Sequence, residues 1–307
     1  MSDSPAPAPL HPRLTGPVVT NPQSTRLRDA AKLLRRAGRR REGRFLVEGP
    51  QAVREAVRRH GARRPVLATV GGDETAEQPR PDGGIIDIWA TAEAADRHPD
   101  VIDLARGAGL RVRQAAAEAL AGLTDTVASQ GIVAVAERLD VPLADVLTRE
   151  SKLVVVLSQV RDPGNAGTVL RVADAAGADA VVVTASSVDV FNPKTVRSTA
   201  GSLFHVPVVT GVGLPEVTEL ARARGMQVLA ADAHPPAHDL HVPWDTGLDL
   251  SRPTAWVFGN EAWGLPTEDR EQADAAVAIP IYGAAESLNL ATAASICIYE
   301  SAKSVRL

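Results

Sequence analysis

Cysteine is all but missing from this chain. Cys297 stands alone among 307 residues, so no internal disulfide can form, which fits a reducing compartment and predicts a cytoplasmic protein. It lies in the apolar run Ala-Ser-Ile-Cys-Ile, where a thiol packs as a small hydrophobe rather than serving as a nucleophile. Long hydrophobic runs are missing too: no stretch approaches the ~20 apolar residues of a membrane span. Residues 1–22 are rich in Pro, Ala and Ser and lack the charged-then-apolar layout of a signal peptide. They predict a disordered arm over residues 1–23. Metal-ligand clusters are also lacking. His234, His238 and His241 come nearest, but Pro235, Pro236 and Pro243 keep a regular helix from presenting them together, so no metal is expected. A complete Gly-x-Gly-x-x-Gly fingerprint is absent. Gly164-Asn165-Ala166-Gly167 is only a fragment of one, which argues against a dinucleotide-dependent dehydrogenase.

What is present is the composition of a globular protein with room for two domains: 45% hydrophobic and 23% charged residues. The formal net charge of -4 hides an asymmetry, because residues 24–64 hold fourteen basic side chains against four acidic ones, a local charge of +10. A basic segment on an otherwise acidic chain points to a polyanion held at one end. Leu27, Ala30, Ala31, Leu33 and Leu34 predict a helix over residues 24–36, stopped by Gly38. A charged turn follows, carrying Arg39, Arg40, Arg41 and Arg44. A solvated surface is the plainer account of such a run, but guanidinium forks grip phosphate well, and their density here favours nucleic-acid contact.

Beyond that turn, residues 45–49 read as a strand and loop and residues 50–60 as a helix. Apolar runs at 66–70, 85–89 and 132–136, broken by a Gly/Pro/Asp-rich loop at 71–84, predict a small α/β domain over residues 24–140. A helical linker is expected at 141–151. From residue 152 the pattern alternates regularly: strands at 153–157, 180–184, 206–209, 227–231 and 254–258, helices at 166–176, 193–201 and 214–224. That order predicts a parallel sheet with helices on both faces.

Three segments read as buried strands emptying into functional loops. Residues 153–157 lead to Asn165 and a helix carrying Arg171. Val257-Phe258 leads to Gly259-Asn260-Glu261-Ala262-Trp263-Gly264, and Ile279-Pro280-Ile281 leads to Ser287-Leu288-Asn289 and a largely buried helix over residues 288–301. Exits of this kind meet at the carboxyl edge of a parallel sheet, where ligands of open α/β sheets bind. Asn165, Arg171, Glu261, Ser287 and Asn289 therefore make a candidate active site. Gly259, Ile279 and Leu288 also fall at these exits, where main-chain N–H and C=O groups are free to bind a ligand edge and apolar side chains can flank it.

The runs Asp-Pro-Gly-Asn-Ala-Gly-Thr-Val-Leu-Arg (162–171), Gly-Asn-Glu-Ala-Trp-Gly-Leu (259–265) and Ile-Pro-Ile-Tyr-Gly-Ala-Ala-Glu-Ser-Leu-Asn (279–289) resemble, in order, the three motifs of the SpoU/TrmH branch of the SPOUT RNA methyltransferases. The resemblance implies methyl transfer from S-adenosylmethionine to a ribose 2'-hydroxyl of RNA by a homodimer whose RNA sites are shared between subunits. The two-domain build favours rRNA over tRNA. It also implies an α/β methyltransferase domain over residues 152–307 with a deep trefoil knot, its final helix threaded beneath the loop at 259–265, although general topology runs against knots. The run at 44–56 resembles the opening of a domain like ribosomal protein L30e, which implies capture of folded RNA.

By the same resemblance Asn165, Arg171, Glu261, Ser287 and Asn289 are catalytic, Gly259, Ile279 and Leu288 bind the cofactor, and Arg197 contacts RNA. The residues themselves leave plainer roles open. Asn165, Ser287 and Asn289 can each be helix caps, and Glu261 can tie down backbone N–H groups. Arg171 carries a guanidinium that keeps its proton, so phosphate binding and hydroxyl orientation stand beside a proposed role as general base. Ser158 replaces a residue that is often acidic in the family, and Trp263 is bulky for its loop; both bear on target choice. A knotted RNA-binding ribosome-assembly factor without turnover is the alternative from another class, and the intact Arg171, Glu261, Ser287 and Asn289 argue against it. A tRNA 2'-O-methyltransferase is the alternative within the same chemistry.

Overall fold

A computed structural model describes residues 10–62, 84–126, 129–242 and 247–306. The strand expected at 66–70, the loop expected at 71–84 up to residue 83, and Arg63, Arg64 and Pro243 lie outside the described residues. The chain divides into two units, one running to Leu139 and taking in Phe191–Pro193, the other formed by Asp140–Val190 and Lys194–Leu307.

The first unit carries β1 (Thr15–Val19), α1 (Thr25–Ala31), α2 (Arg36–Glu42), β2 (Arg44–Glu48), α3 (Pro50–Ala62), β3 (Ile85–Ala90), α4 (Ala92–Arg97), α5 (Pro99–Gly107), β4 (Val112–Ala115), α6 (Ala117–Leu120) and β5 (Ile132–Glu137). Its strands form one mixed sheet in the order β1-β4-β3-β5-β2. Leu27, Leu33, Leu46, Trp89, Leu120 and Val133 lie in its core.

Two expectations for this unit are corrected. The arm does not run to residue 23, because β1 pairs in parallel with β4 and Ala116 N donates to Val19 O at 2.9 Å. An edge strand of this sort is held by main-chain bonds, and its sequence need not alternate. The expected charged turn is largely the helix α2, closed by Gly43 in the left-handed region (φ 64°). Gly38 lies inside α2 and does not end α1, which tightens instead into a 3-10 turn at Lys32–Leu34. A Cβ on Gly38 would lie 2.0 Å from the Lys32 carbonyl oxygen, so glycine permits the close packing of turn and helix.

The second unit carries α7 (Leu143–Val146), β6 (Leu153–Leu157), α8 (Pro163–Ala176), β7 (Ala180–Val183), α9 (Pro193–Ser198), β8 (Val208–Thr210), α10 (Leu214–Ala223), β9 (Gln227–Ala231), β10 (His238–Asp239), β11 (Thr254–Phe258), α12 (Thr267–Arg270), β12 (Ala275–Ala278) and α13 (Leu290–Arg306). Seven strands form a sheet in the order β10-β12-β9-β11-β6-β7-β8, and every pairing is parallel. Strands of such a sheet are covered on both faces, which is why Leu-Val-Val-Val-Leu in β6 is apolar throughout and fully buried. β11 lies between β6 and β9, with Trp256 opposite Val155 on one side and Leu229 on the other. α13 packs on α8 and against β6, β9 and β11. It is pinned there by Trp256, whose buried Nε1 donates to Ser301 Oγ at 2.8 Å.

Residues 141–151 are not a separate linker. Val141 N donates to Val208 O at 2.9 Å, Leu143 and Leu147 enter the core of the second unit, and only Leu143–Val146 is helical. The strand expected at 206–209 begins at Val208, and β10 has no counterpart among the expected strands. The third exit strand is Ala275–Ala278, just ahead of the Ile279-Pro280-Ile281 run. Pro280 has no N–H to continue a ladder, so Ile279 to Asn289 form loop, and α13 starts at Leu290 rather than at residue 288.

Candidate active site

The exits of β6 and β11 are tied together directly, because Ser158 N donates to Phe258 O at 2.9 Å. Past that bond, Asp162 caps α8: its Oδ1 accepts from Asn165 N at 2.7 Å. The cap expected of Asn165 is thus supplied by Asp162, three residues earlier, and the Asn165 amide is released for tertiary contacts. Its Nδ2 donates to Glu261 Oε1 at 3.3 Å, and its Oδ1 accepts from Asn289 Nδ2 at 3.1 Å. One polar chain, Asn289–Asn165–Glu261, therefore joins all three loop exits.

Glu261 also accepts from the backbone N–H groups of Arg161 and Asp162, at 3.3 and 3.1 Å. Three donors converge on this carboxylate, which holds the loop after β11 against the first turn of α8. Asn289 caps α13 by accepting from Ala291 N at 2.9 Å and Thr292 N at 3.4 Å. Ser287 is exposed two residues earlier, with no hydrogen-bond partner among the described residues. Arg171 is exposed on α8, with no hydrogen bond to the polar chain among the described residues.

The loop after β11 is tightly folded. Asn260 N and Gly264 N exchange bonds with each other's carbonyls at 2.8 and 3.0 Å. A Cβ on Gly259 would lie 2.5 Å from the Gly264 backbone, so only glycine lets the turn close on itself. Asn260 Nδ2 donates to Gln159 O at 2.8 Å and fastens this turn to the first loop, where Gln159 has a left-handed φ of 57°. Gly259 is buried, Ile279 half-buried and Leu288 37% exposed.

Sequence reasoning missed two acids here. Asp269 Oδ2 accepts from Ser158 Oγ at 2.6 Å and Gln159 Nε2 at 3.2 Å, so a carboxylate from α12 serves the first loop. Asp232, just past β9, is buried and held to His234. No spacing signal links either acid to the motifs. Trp263 and Tyr282 expose 55% and 83% of their surfaces in the second and third loops. The three candidate histidines are separate: His234 bonds Asp232, His241 Nδ1 lies 3.0 Å from Tyr282 Oη, and His238 belongs to β10. Among the described residues no group of three or more His, Cys, Asp or Glu could hold a metal ion.

The basic segment is divided in its roles. Arg39, expected to face RNA, is 2% exposed, and its Nη1 donates to the carbonyls of Leu33 and Leu34 at 2.8 and 2.9 Å. It closes the free end of the preceding turn, where main-chain acceptors lack partners. Arg40, Arg41 and Arg44 are exposed, with Arg41 reaching only its neighbour Glu42 at 2.9 Å. Arg54 and Arg58 pair with Asp100 and Glu55. Arg197 is half-buried in the last turn of α9. No helix among the described residues is long and apolar enough to cross a membrane.

Residues 152–299 match the family model of the SpoU rRNA methylases, and residues 73–142 match that of the RNA 2'-O ribose methyltransferase substrate-binding domain. The Bacillus subtilis 23S rRNA (guanosine(2553)-2'-O)-methyltransferase RlmP is 31% identical over 281 residues, 92% of this chain and 97% of that protein. The AdoMet-bound rRNA methyltransferase of Sinorhizobium meliloti has the same fold, with a TM-score of 0.74 at 27% identity over 95% of this chain and 98% of that one. The SpoU methyltransferase AviRb of Streptomyces viridochromogenes, in complex with AdoMet, gives 0.72 at 29% identity over 91% and 98%. Likeness of this extent, spanning both units, makes the chain a member of the SpoU rRNA methylase family.

Proposed function

We propose that this protein transfers a methyl group from S-adenosylmethionine to a ribose 2'-hydroxyl of rRNA. The observation that carries the reading is the Asn289–Asn165–Glu261 chain, which unites three motif loops at the carboxyl edge of a parallel sheet. The cofactor supplies an electrophilic methyl group on a sulfonium. What the protein must add is position, which accounts for much of the rate in such a transfer.

Main-chain groups at Gly259, Ile279 and Leu288 hold the adenine, with the half-buried Ile279 and the exposed Leu288 side chains against its faces. The residues present fit that cofactor, since a buried acid at the same edge, Asp232, has an oxygen without a donor among the described residues. Glu261 acts as scaffold, its carboxylate already engaged by three N–H donors. Asn165 and Asn289 fix the two loops that flank the hydroxyl, and Ser287 offers a free hydroxyl beside them.

Arg171 binds the RNA phosphate and orients the ribose. It stands six residues beyond Asn165, about 9 Å further along α8 and about 120° around it. That placement suits a group shared with a second subunit, so a homodimer belongs to this reading. A trefoil knot formed by the C-terminal segment belongs to the same reading. Arg40, Arg41 and Arg44 on the first unit, and Arg197 on the second, contact the RNA backbone. A cytoplasmic location belongs to this reading.

The test is transfer of tritiated methyl from S-adenosylmethionine to free rRNA, to ribosomal particles and to tRNA, with 2'-O-methyl nucleosides identified by mass. Label in rRNA or in the particle is expected. Label confined to tRNA would change the substrate, and cofactor binding without label in any of the three would overturn turnover.

A further inference from the structure

Asp232 directly follows β9, at the sheet edge where the three motif loops emerge. Its side chain is 2% exposed. Oδ1 accepts from His234 N at 2.7 Å and lies 2.6 Å from His234 Nδ1, whereas Oδ2 has no partner among the described residues. Holding a carboxylate oxygen away from water without a donor is costly. Native proteins keep such a group where something else satisfies it.

The surroundings indicate what that is. Asp232 N donates to Val277 O at 3.1 Å, two residues before Ile279. A Cβ built on Gly264 would lie 3.9 Å from Oδ2, and Gly264 closes the turn that begins at Gly259. The orphan oxygen thus sits between the two loops assigned to the adenine. His234, 68% exposed, holds Oδ1 on the solvent side.

We propose that Asp232 Oδ2 accepts a hydrogen bond from a ribose hydroxyl of S-adenosylmethionine, which makes Asp232 a cofactor-binding residue outside the three motifs. The proposal rests on the cofactor reading above. The cofactor carries three kinds of donor: the adenine amine, the ribose hydroxyls and the α-ammonium. Main-chain groups serve the adenine, and the ribose is the group attached to it, next in line between the same two loops.

Calorimetric titration of the full chain with S-adenosylhomocysteine tests this, comparing wild type with Asp232→Ala. Affinity should fall about 10- to 100-fold, the worth of one hydrogen bond to a charged acceptor. The 2'-deoxy and 3'-deoxy analogues distinguish the donors. One of them should bind wild type more weakly than the parent does, and Asp232→Ala should not discriminate between the two. Unchanged affinity in Asp232→Ala overturns the proposal. So does a loss that persists with both deoxy analogues but vanishes with 5'-methylthioadenosine, which would assign the bond to the α-ammonium. A wild-type protein that binds none of these ligands would overturn the cofactor reading itself, a separate result. Without ligand, Asp232→Ala should melt somewhat below wild type, because His234 N loses its acceptor. If it fails to fold, the isosteric Asp232→Asn supplies the same comparison, with an expected loss of about 3- to 10-fold.

Discussion

Asn289 donates through Nδ2 to Oδ1 of Asn165 at 3.1 Å, across 124 positions of sequence. The same side chain caps α13 through its Oδ1. Two jobs on opposite ends of one amide can be separated by substitution. Asn289→Ala loses both, and should cost about 1–2 kcal/mol of stability, the usual worth of an N-cap, together with turnover. Asn289→Asp keeps an acceptor for the cap but loses the donor to Asn165. It should unfold at nearly the wild-type denaturant midpoint while methyl transfer falls. Wild-type turnover in Asn289→Asp would show that the link to Asn165 is dispensable.

Neighbouring arginines of α2 should behave in opposite ways. Arg39→Ala leaves the Leu33 and Leu34 carbonyls without their buried donor, and should destabilise the protein by about 1–3 kcal/mol. Replacing Arg40, Arg41 and Arg44 together should leave the melting temperature nearly unchanged and weaken RNA binding. The salt slope should become shallower by about two, as expected when three guanidinium groups no longer neutralise RNA phosphates and release their counterions. Affinity and slope that stay at wild-type values would remove Arg40, Arg41 and Arg44 from the RNA-binding surface.

Arg171→Ala should lower methyl transfer by about 100-fold or more, the scale for losing a charged group that orients the reacting atoms. Cofactor affinity should stay within about twofold, because Arg171 lies outside the loops at Gly259, Ile279 and Leu288. Single-turnover kinetics at saturating cofactor distinguishes the two effects. A matching loss of cofactor affinity would reassign Arg171 to the cofactor site.

Burial pushes the Cys297 thiol up from its ordinary value of 9.0 to about 12. The unfolded chain therefore ionises this group first. Its contribution to stability is fully present below about pH 9 and is lost as pH rises toward 12. Denaturant unfolding of wild type and Cys297→Ala at pH 8 and pH 10.5 should show their difference shrinking at the higher pH. Rapid reaction of the folded protein with a thiol reagent at pH 8 would contradict the buried, neutral state.

Much of the second unit was legible because its constraints are local. β6 and β11 are covered on both faces and must be apolar throughout, so they read as continuous runs without any neighbour being known. Gly259 and Gly264 announced a tight loop, since close backbone approach and a left-handed φ demand glycine. The short edge strands β1 and β10 carry no comparable mark. α2 was hidden because arginines suit a charged turn and a helix alike. Asn165 looked like a cap, and only the position of Asp162 three residues earlier reassigned it.

By itself, then, the sequence determined the alternating strands and helices, the three glycine-bearing exits and the polar residues each exit carries, because those depend on hydrophobic patterning and backbone sterics within a few residues. Tertiary structure alone decided that Asn289 reaches Asn165, that Asp269 serves Ser158, that Arg39 turns inward and that Asp232 lies buried beside Gly264. Each of these depends on which chain segments pack side by side. A hydrogen bond needs its two atoms within about 3 Å, and no local pattern encodes the approach of Asn289 and Asn165 across 124 positions.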